Sequence, residues 1–386
     1  TGGDWSDVDK DITGVTSLCD SLKTSSVTEL GLAKCRLGPG SLGKLAEYVR
    51  DAEAALTSLN CLHNPLGEGL QVIIKAFEET PRLRTLCGLE EGVEQIDWSD
   101  SGKGPIEVAL LAADLKAGRA AAAMNSLTLD MNGIFGELYS SGNVKEADKF
   151  AGDCDAFLAA LKGSNIVTLS LQKTGIGPVT LQKLATSLPA AMNSLTIEST
   201  GDMGDKKVYT LAADKDRFNL TSLNFGPEDL TLIATWFATT DFSNELKSIQ
   251  LDAGLRDHDE NSLLHLVLQL RAPTHVAMAA MEADPAACTK SNDAGHTPLK
   301  DAIDNKQAVL ARAMWDLAPE EHEALEPQLR DWFSTALVDL LGQLVNDHKS
   351  VAIDATLQLS SVLDFNLVND TFESQDGFGH LFPLLC

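Results

Sequence analysis

Aromatic residues make up only 5% of the 386-residue chain, against 44% hydrophobic residues in all, so the core must be filled by aliphatic side chains. Positive charge is also scarce. Lysine and arginine number 30 against 56 aspartates and glutamates, a net charge of −26. A surface this acidic repels nucleic acid and anionic lipid and favours basic partners. The imbalance is densest in 257–386, where 21 acidic and 7 basic residues leave −14, against −12 for the first 256 residues. Its sharpest run is Glu320, Glu321, Glu323 and Glu326. That run reads as a solvated helix face or as an acidic docking patch, the solvated face being the simpler of the two. No stretch approaches 18 uninterrupted apolar residues, which predicts no transmembrane helix. The seven cysteines are odd in number and contain no C-x-x-C pair, which argues against a disulfide framework or a zinc site. An intracellular, reducing compartment is expected, first the cytoplasm, with an organelle reached through a removed targeting peptide as the alternative.

What the chain does contain is repetition. Val27, Leu30, Leu32, Cys35 and Leu37 fit L-x-x-L-x-L-x-x-N/C-x-L. Leu56, Leu59, Cys61, Asn64 and Leu66 fit it again, as do Met124, Leu127, Leu129, Asn132 and Ile134. Ile166, Leu169, Leu171, Thr174 and Ile176 make a fourth unit, and weaker units begin at Val93, Met192, Leu220 and Leu246. The spacings between successive starts are 29, 37, 31, 42, 26, 28 and 26 residues, and the long ones predict insertions near 83–92 and 136–155. The alternating leucines predict a short strand with one buried face. The Asn or Cys position is suited to bonding the backbone between layers, and Cys35 and Cys61 both fall on repeat core positions. Helical spacing follows the strands, in Leu42, Leu45, Ala46 and Val49, in Leu70, Ile73, Ile74 and Phe77, and in Leu181, Leu184, Ala185 and Leu188.

This pattern resembles the ribonuclease-inhibitor type of leucine-rich repeat. The resemblance implies an α/β solenoid over 27–255, a horseshoe of about eight units with parallel strands concave and helices convex. Residues 1–26 are expected to cap its first layer. Further on, Asp293-Ala-Gly-His-Thr-Pro-Leu-Lys-Asp-Ala302 is similar to the ankyrin signature D-x-x-G-x-T-P-L-H-x-A, and Ser262-Leu-Leu-His265 occupies the equivalent slot 35 residues earlier. Lys300 and Leu263 depart from it, where histidine and proline are usual. An all-α ankyrin-like part is expected over 257–326, with Val276, Ala277, Ala280 and Met281 on an outer helix, and a C-terminal helical cap over 327–386.

Catalytic signatures do not rise above this architecture. Gly38-Pro-Gly40-Ser-Leu-Gly43 matches G-x-G-x-x-G, but Gly67-Glu-Gly69, Gly104-Pro105 and Gly177-Pro178 occupy the same place in other units, so the glycines read as turns into helices. The eight histidines include no pair at the tight spacing of a metal site. No cofactor, metal or small-molecule substrate is expected, and no enzyme. In the solenoid reading, polar residues between the repeat leucines line the concave face. Asn60, Asp97, Ser99, Asp130, Gln172, Glu198, Asn224 and Asp252 are its candidate partner-binding residues, and no lysine or arginine flanks the third leucine of any unit. The expected role is a non-enzymatic protein–protein interaction or scaffold protein, a subunit or assembly partner in a larger complex. The alternative is a regulatory inhibitor or sensor that binds one basic partner on the concave face.

Overall fold

Leu59, Leu127 and Leu169 are each fully buried at the centre of a three-residue strand, and Leu195 is fully buried in a five-residue one. In the computed structural model, which describes residues 8–51, 55–202, 204–242, 246–305 and 307–317, these strands organise a mixed α/β chain. The chain divides into two compact units, Thr1–Ala212 and Ala213–Cys386. The division falls inside the stretch read from sequence as one repeat block. Among the described residues there are eleven helices and eleven short strands in open sheets. None of these helices is long and apolar enough to cross a membrane.

In the first unit α1 (Thr13–Leu22) is followed by β1 (Glu29–Gly31), α2 (Pro39–Arg50), β2 (Ser58–Asn60), α3 (Gly69–Glu79), β3 (Gln95–Asp97), α4 (Pro105–Ala117) and β4 (Ser126–Thr128). A hairpin β5 (Glu137–Leu138) and β6 (Val144–Glu146) precedes α5 (Asp155–Lys162), β7 (Thr168–Ser170), α6 (Pro178–Ala185), β8 (Ser194–Glu198) and β9 (Val208–Ala212). The strands pair in parallel, with Leu30 opposite Leu59, and with Ile96, Leu127, Leu169 and Leu195 in one continuous register. A central apolar residue flanked by polar ones gives β2, β3, β4 and β7 one buried and one open face. The helices bury the residues that their spacing selects, Leu42, Leu45, Ala46 and Val49 in α2 and Leu181, Leu184 and Ala185 in α6. Leu70 and Ile74 of α3 are only half-buried.

The backbone repeats with the strands. Lys34, His63, Asp100, Met131 and Lys173 each lie three residues past the end of a strand, and all adopt φ between 46° and 59°. A left-handed non-glycine residue costs roughly 1–2 kcal/mol, so its recurrence at one position marks a turn that the layer imposes. The next position carries the tie between layers. Asn64 is buried; its Oδ1 accepts from the Leu37 N–H at 3.0 Å and its Nδ2 donates to the carbonyls of Leu32 at 2.8 Å and Cys61 at 2.9 Å. Asn132 repeats this one for one, accepting from the Lys103 N–H at 2.8 Å and donating to Trp98 at 2.7 Å and Leu129 at 3.0 Å. Thr174 makes the shorter version, donating to the Leu171 carbonyl at 2.8 Å. Cys35 holds the same position but is exposed, not in the core as its place in the repeat suggests. Cys61 is fully buried.

Both expected insertions carry structure. Leu83 and Leu86 are fully buried, and the segment between them forms a further rung beside β2, with Thr85 bridged to Ser58. The second insertion is the β5–β6 hairpin. It delivers Asp148, whose carboxylate accepts from the N–H groups of Gly177, Val179 and Thr180 at 2.8–3.0 Å and caps α6. Asp9 does the same for α2 through Gly38, Gly40 and Ser41. Each aspartate sits 29 residues before the glycine it first meets. The sheet then departs from the sequence reading: β9 runs antiparallel across all five residues of β8, where no strand was expected.

In the second unit β10 (Arg217–Leu220) pairs in parallel with β11 (Ser248–Leu251), with α7 (Pro227–Thr239) between them in sequence. This corrects the unit read as starting at Leu220. Phe218 and Leu220 are the buried pair opposite Ile249 and Leu251, and Leu223 is only half-buried. The left-handed residue Ser222, three past Asn219, agrees with the earlier register. Two helix pairs follow, α8 (Leu263–Gln269) with α9 (Thr274–Ala283), and α10 (Pro298–Asp304) with α11 (Ala308–Leu317). Leu263 and Pro298 begin their helices 35 residues apart. Ser262 caps α8 and Thr297 caps α10 through their side-chain oxygens. Val276, Ala277, Ala280 and Met281 are buried on α9. His265, fully buried, links the pairs, with its Nε2 3.0 Å from the His296 carbonyl. The C-terminal cap and the acidic run Glu320, Glu321, Glu323 and Glu326 lie outside the described residues.

Candidate functional site

The polar residues on the strand face divide into two kinds by what they hold. The first kind ends the strand. Asn60 Oδ1 accepts from the Leu62 N–H at 3.1 Å, and Asp97 Oδ1 accepts from the Ser99 N–H at 2.9 Å and hydroxyl at 2.6 Å. The Ser99 hydroxyl and then its N–H hold the Asp97 carboxyl below its ordinary range. In the second unit Asn219 does the same for Thr221, at 3.2 Å from its N–H and 2.8 Å from its hydroxyl. An acceptor bonding the backbone two residues on is the Asx turn, which stops an extended segment.

The second kind ties one layer to its neighbour. Asp130 accepts from the Ser170 hydroxyl at 2.8 Å, the Gln172 N–H at 2.8 Å and the Gln172 side-chain amide at 3.0 Å. Glu198, nearly buried, accepts from the Lys173 N–H at 3.2 Å. Asp252 accepts from the Ser222 N–H at 2.9 Å in the second unit. Lys173 and Ser222 are both left-handed turn residues. Glu198 and Asp252 therefore satisfy the donors that the repeated turn strands.

Of the candidate residues, Asp130 and Gln172 are in direct contact, as are Asp97 and Ser99. Asn60 and Glu198 stand in other layers of the first unit, and Asp252 belongs to the second. Asn224 does not belong to the row. It sits past the turn with φ 53°, and Asn219 takes the register position opposite Gln250. Asp97 and Ser99 are exposed, and so are Gln95 and Thr168, the first residues of β3 and β7, which make no tie between layers.

One cluster on this unit had no signal in the sequence, because its members are 40 residues apart. Lys103 is 7% exposed, and its Nζ lies 2.7 Å from His63 Nε2 and 4.9 Å from the centre of the Trp98 ring. Burial pushes the Lys103 amine below its ordinary value, and burial followed by Lys103 does the same to His63. Glu107 accepts from the His63 N–H at 3.0 Å and the Gly104 N–H at 2.8 Å, which ties this turn to the start of α4.

The nucleotide-like glycines are filled from within. The N–H groups of Gly38, Gly40 and Ser41, which face an anion in a phosphate loop, are taken by Asp9. Burial works against ionisation of Asp9, but the Ser41 hydroxyl and the three N–H groups outweigh it and hold its carboxyl low. A side chain on Gly38 would meet Asp9 at 2.5 Å. Among the described residues, no group of three or more His, Cys, Asp and Glu is arranged to hold a metal ion. No protein-family model and no curated protein matches the chain.

Proposed function

We propose that the chain is a leucine-rich-repeat protein of the ribonuclease-inhibitor type with ankyrin-like helix pairs behind it, and that it works as a non-enzymatic scaffold for protein partners. The observation that carries this reading is the row of in-register parallel strands in the first unit, with Asp97, Ser170 and Glu198 at their ends held by hydrogen bonds within or between layers. A surface whose side chains are already fixed loses little further entropy when a partner docks. Repeat solenoids present such surfaces for binding. The 35-residue offset between the helix pairs and the His265 link support the ankyrin-like assignment. The net charge of −26 favours partners with a basic surface over nucleic acid.

The test uses positions that do not hold the fold. The double variant Gln95→Arg/Thr168→Arg alters two exposed strand-face positions without touching a tie between layers. The 386-residue chain and its variant are used to capture partners from cells of the source. Loss of the captured proteins from a variant with unchanged circular dichroism supports the strand face. Capture of the same set by both proteins contradicts it.

A further inference from the structure

The two insertions bracket α4, and each alters the helix side of its layer. The rung at 83–87 adds a strand segment beside β2 with no helix of its own. Neighbouring strands lie about 4.8 Å apart, so the extra rung spreads α3 from α4. After α4, the hairpin insertion brings Phe150 and the segment leading into α5 up on its other side. Between these walls runs a groove of about 810 Å³. Its floor is the outer face of α4, including Ala109 and Ala113, and its walls include Leu70 and Ile74 on one side and Phe150 on the other.

α4 is built for cover on that face. Val108, Leu110 and Leu111 are fully buried beneath it, and half-buried Ile106 with the small, nearly buried Ala109, Ala112 and Ala113 makes the groove side apolar as well. Apart from Glu107 and Asp114, whose carboxylates bond neighbouring backbone, and Lys116 at the rim, the helix is apolar on every side, and such a helix normally has neighbours all round. The floor and the α3 wall are helical, and in the turns of the other wall the N–H groups of Phe150, Ala151 and Asp153 already bond carbonyls of their own unit, so the groove offers no edge to an added strand. The occupant must bind by burying side chains, which is the helix-in-groove mode. α3 sets the length: eleven residues, about 16 Å at 1.5 Å per residue, or three turns of a docked helix. The rim sets the charge. Lys116 is paired with Glu78 at 2.8 Å, while Asp153 stands exposed at the mouth.

We propose that this groove is a docking site for an amphipathic helix of a partner protein, about three turns long, with a narrow apolar face and basic flanks. It is a surface separate from the strand face.

The probe is a 14-residue peptide with leucines at i, i+3, i+4 and i+7 and lysines on its other faces, compared with a scrambled peptide of the same composition. Binding to the full chain is followed by fluorescence anisotropy at physiological salt. The patterned peptide is expected to bind at least tenfold more tightly than the scrambled one. Ala109→Arg, which fills the floor, should remove that preference. Gln71→Lys/Asp153→Lys, at exposed rim positions that cannot unfold the chain by burial, should weaken the patterned peptide at least threefold. Equal binding of both peptides, or binding indifferent to the rim variant, overturns the proposal. Sedimentation velocity of the chain alone tests for self-association through the same groove. A monomer supports the partner assignment, whereas a dimer broken by the rim variant would give the groove to a second copy and overturn it.

Discussion

Asp114 supplies the sharpest stability test because its carboxylate is fully buried with no cation beside it among the described residues. Its Oδ1 accepts from the Leu86 N–H at 2.8 Å, and its Oδ2 accepts from the Thr85 hydroxyl at 2.6 Å and the Cys87 N–H at 3.2 Å. It thus pins the extra rung to α4. Burial raises its pKa from 3.8 to about 6, against the pull of those same donors. The folded state therefore binds the proton more tightly than the unfolded chain. The stabilisation from this group is complete below pH 3.8 and is lost as pH rises through about 6. At 1.36 kcal/mol per unit, the whole shift corresponds to about 3 kcal/mol. The chain has a pI near 4.5, so the usable window starts at about pH 5. From pH 5 to 7 the group should lose about 1.3 kcal/mol of stabilisation by the same linkage. Asp114→Asn is neutral throughout this range. It gives up the acceptor for the Cys87 N–H, at a cost of about 1–3 kcal/mol, and avoids the buried charge. Urea unfolding of both proteins at pH 5, 6 and 7 measures the difference. The advantage of the wild type over Asp114→Asn should shrink by about 1.3 kcal/mol across the series. A difference that stays constant with pH would refute the buried, proton-binding carboxylate.

Three further outcomes follow from the ties between layers. Asn132→Ala leaves the buried Lys103 N–H and the Trp98 carbonyl without their partner, and should cost about 2–4 kcal/mol in urea unfolding at the penalties for orphaned buried groups. Gly175 has φ 79°, and a side chain there would lie 2.4 Å from the Gly136 nitrogen. Gly175→Ala should therefore destabilise by about 3 kcal/mol or more through combined backbone strain and clash, read as a lowered Tm; an unchanged Tm would mean the two glycine backbones do not approach. Asp148→Ala removes the cap of α6 and should cost about 1 kcal/mol, with faster amide exchange confined to the first turn of α6.

The sequence exposed those parts of the fold that depend on neighbours in the chain. Leu59, Leu127 and Leu169 mark their strands because an apolar residue between polar ones has one way to face the core. Asn64 and Asn132 marked the ties because asparagine carries both the acceptor and the two donors that the turn uses, on a short side chain. The spacing of 37 residues pointed to an insertion but not to its form, since Leu83 and Leu86 copy Leu56 and Leu59 without a helix to follow. Leu220, Leu223 and Phe225 imitate the repeat as well as Phe218 and Leu220 satisfy it, because an aromatic stands where leucine was sought. Cys35 has the right position in the pattern, yet its side chain is exposed. The acids Asp130, Glu198 and Asp252 looked like a free charged face. Their partners are backbone N–H groups up to 42 residues away, which no local pattern reveals.

The central claim is that the strand face of the first unit is where a partner protein sits. A photo-reactive amino acid placed at Gln95 or Thr168 on that face, and at Val179 or Thr186 on α6 and its end, tests it most directly in cells of the source. Cross-links to a protein of basic composition should form from Gln95 and Thr168 and not from Val179 or Thr186. Cross-links from the α6 positions alone would contradict the assignment.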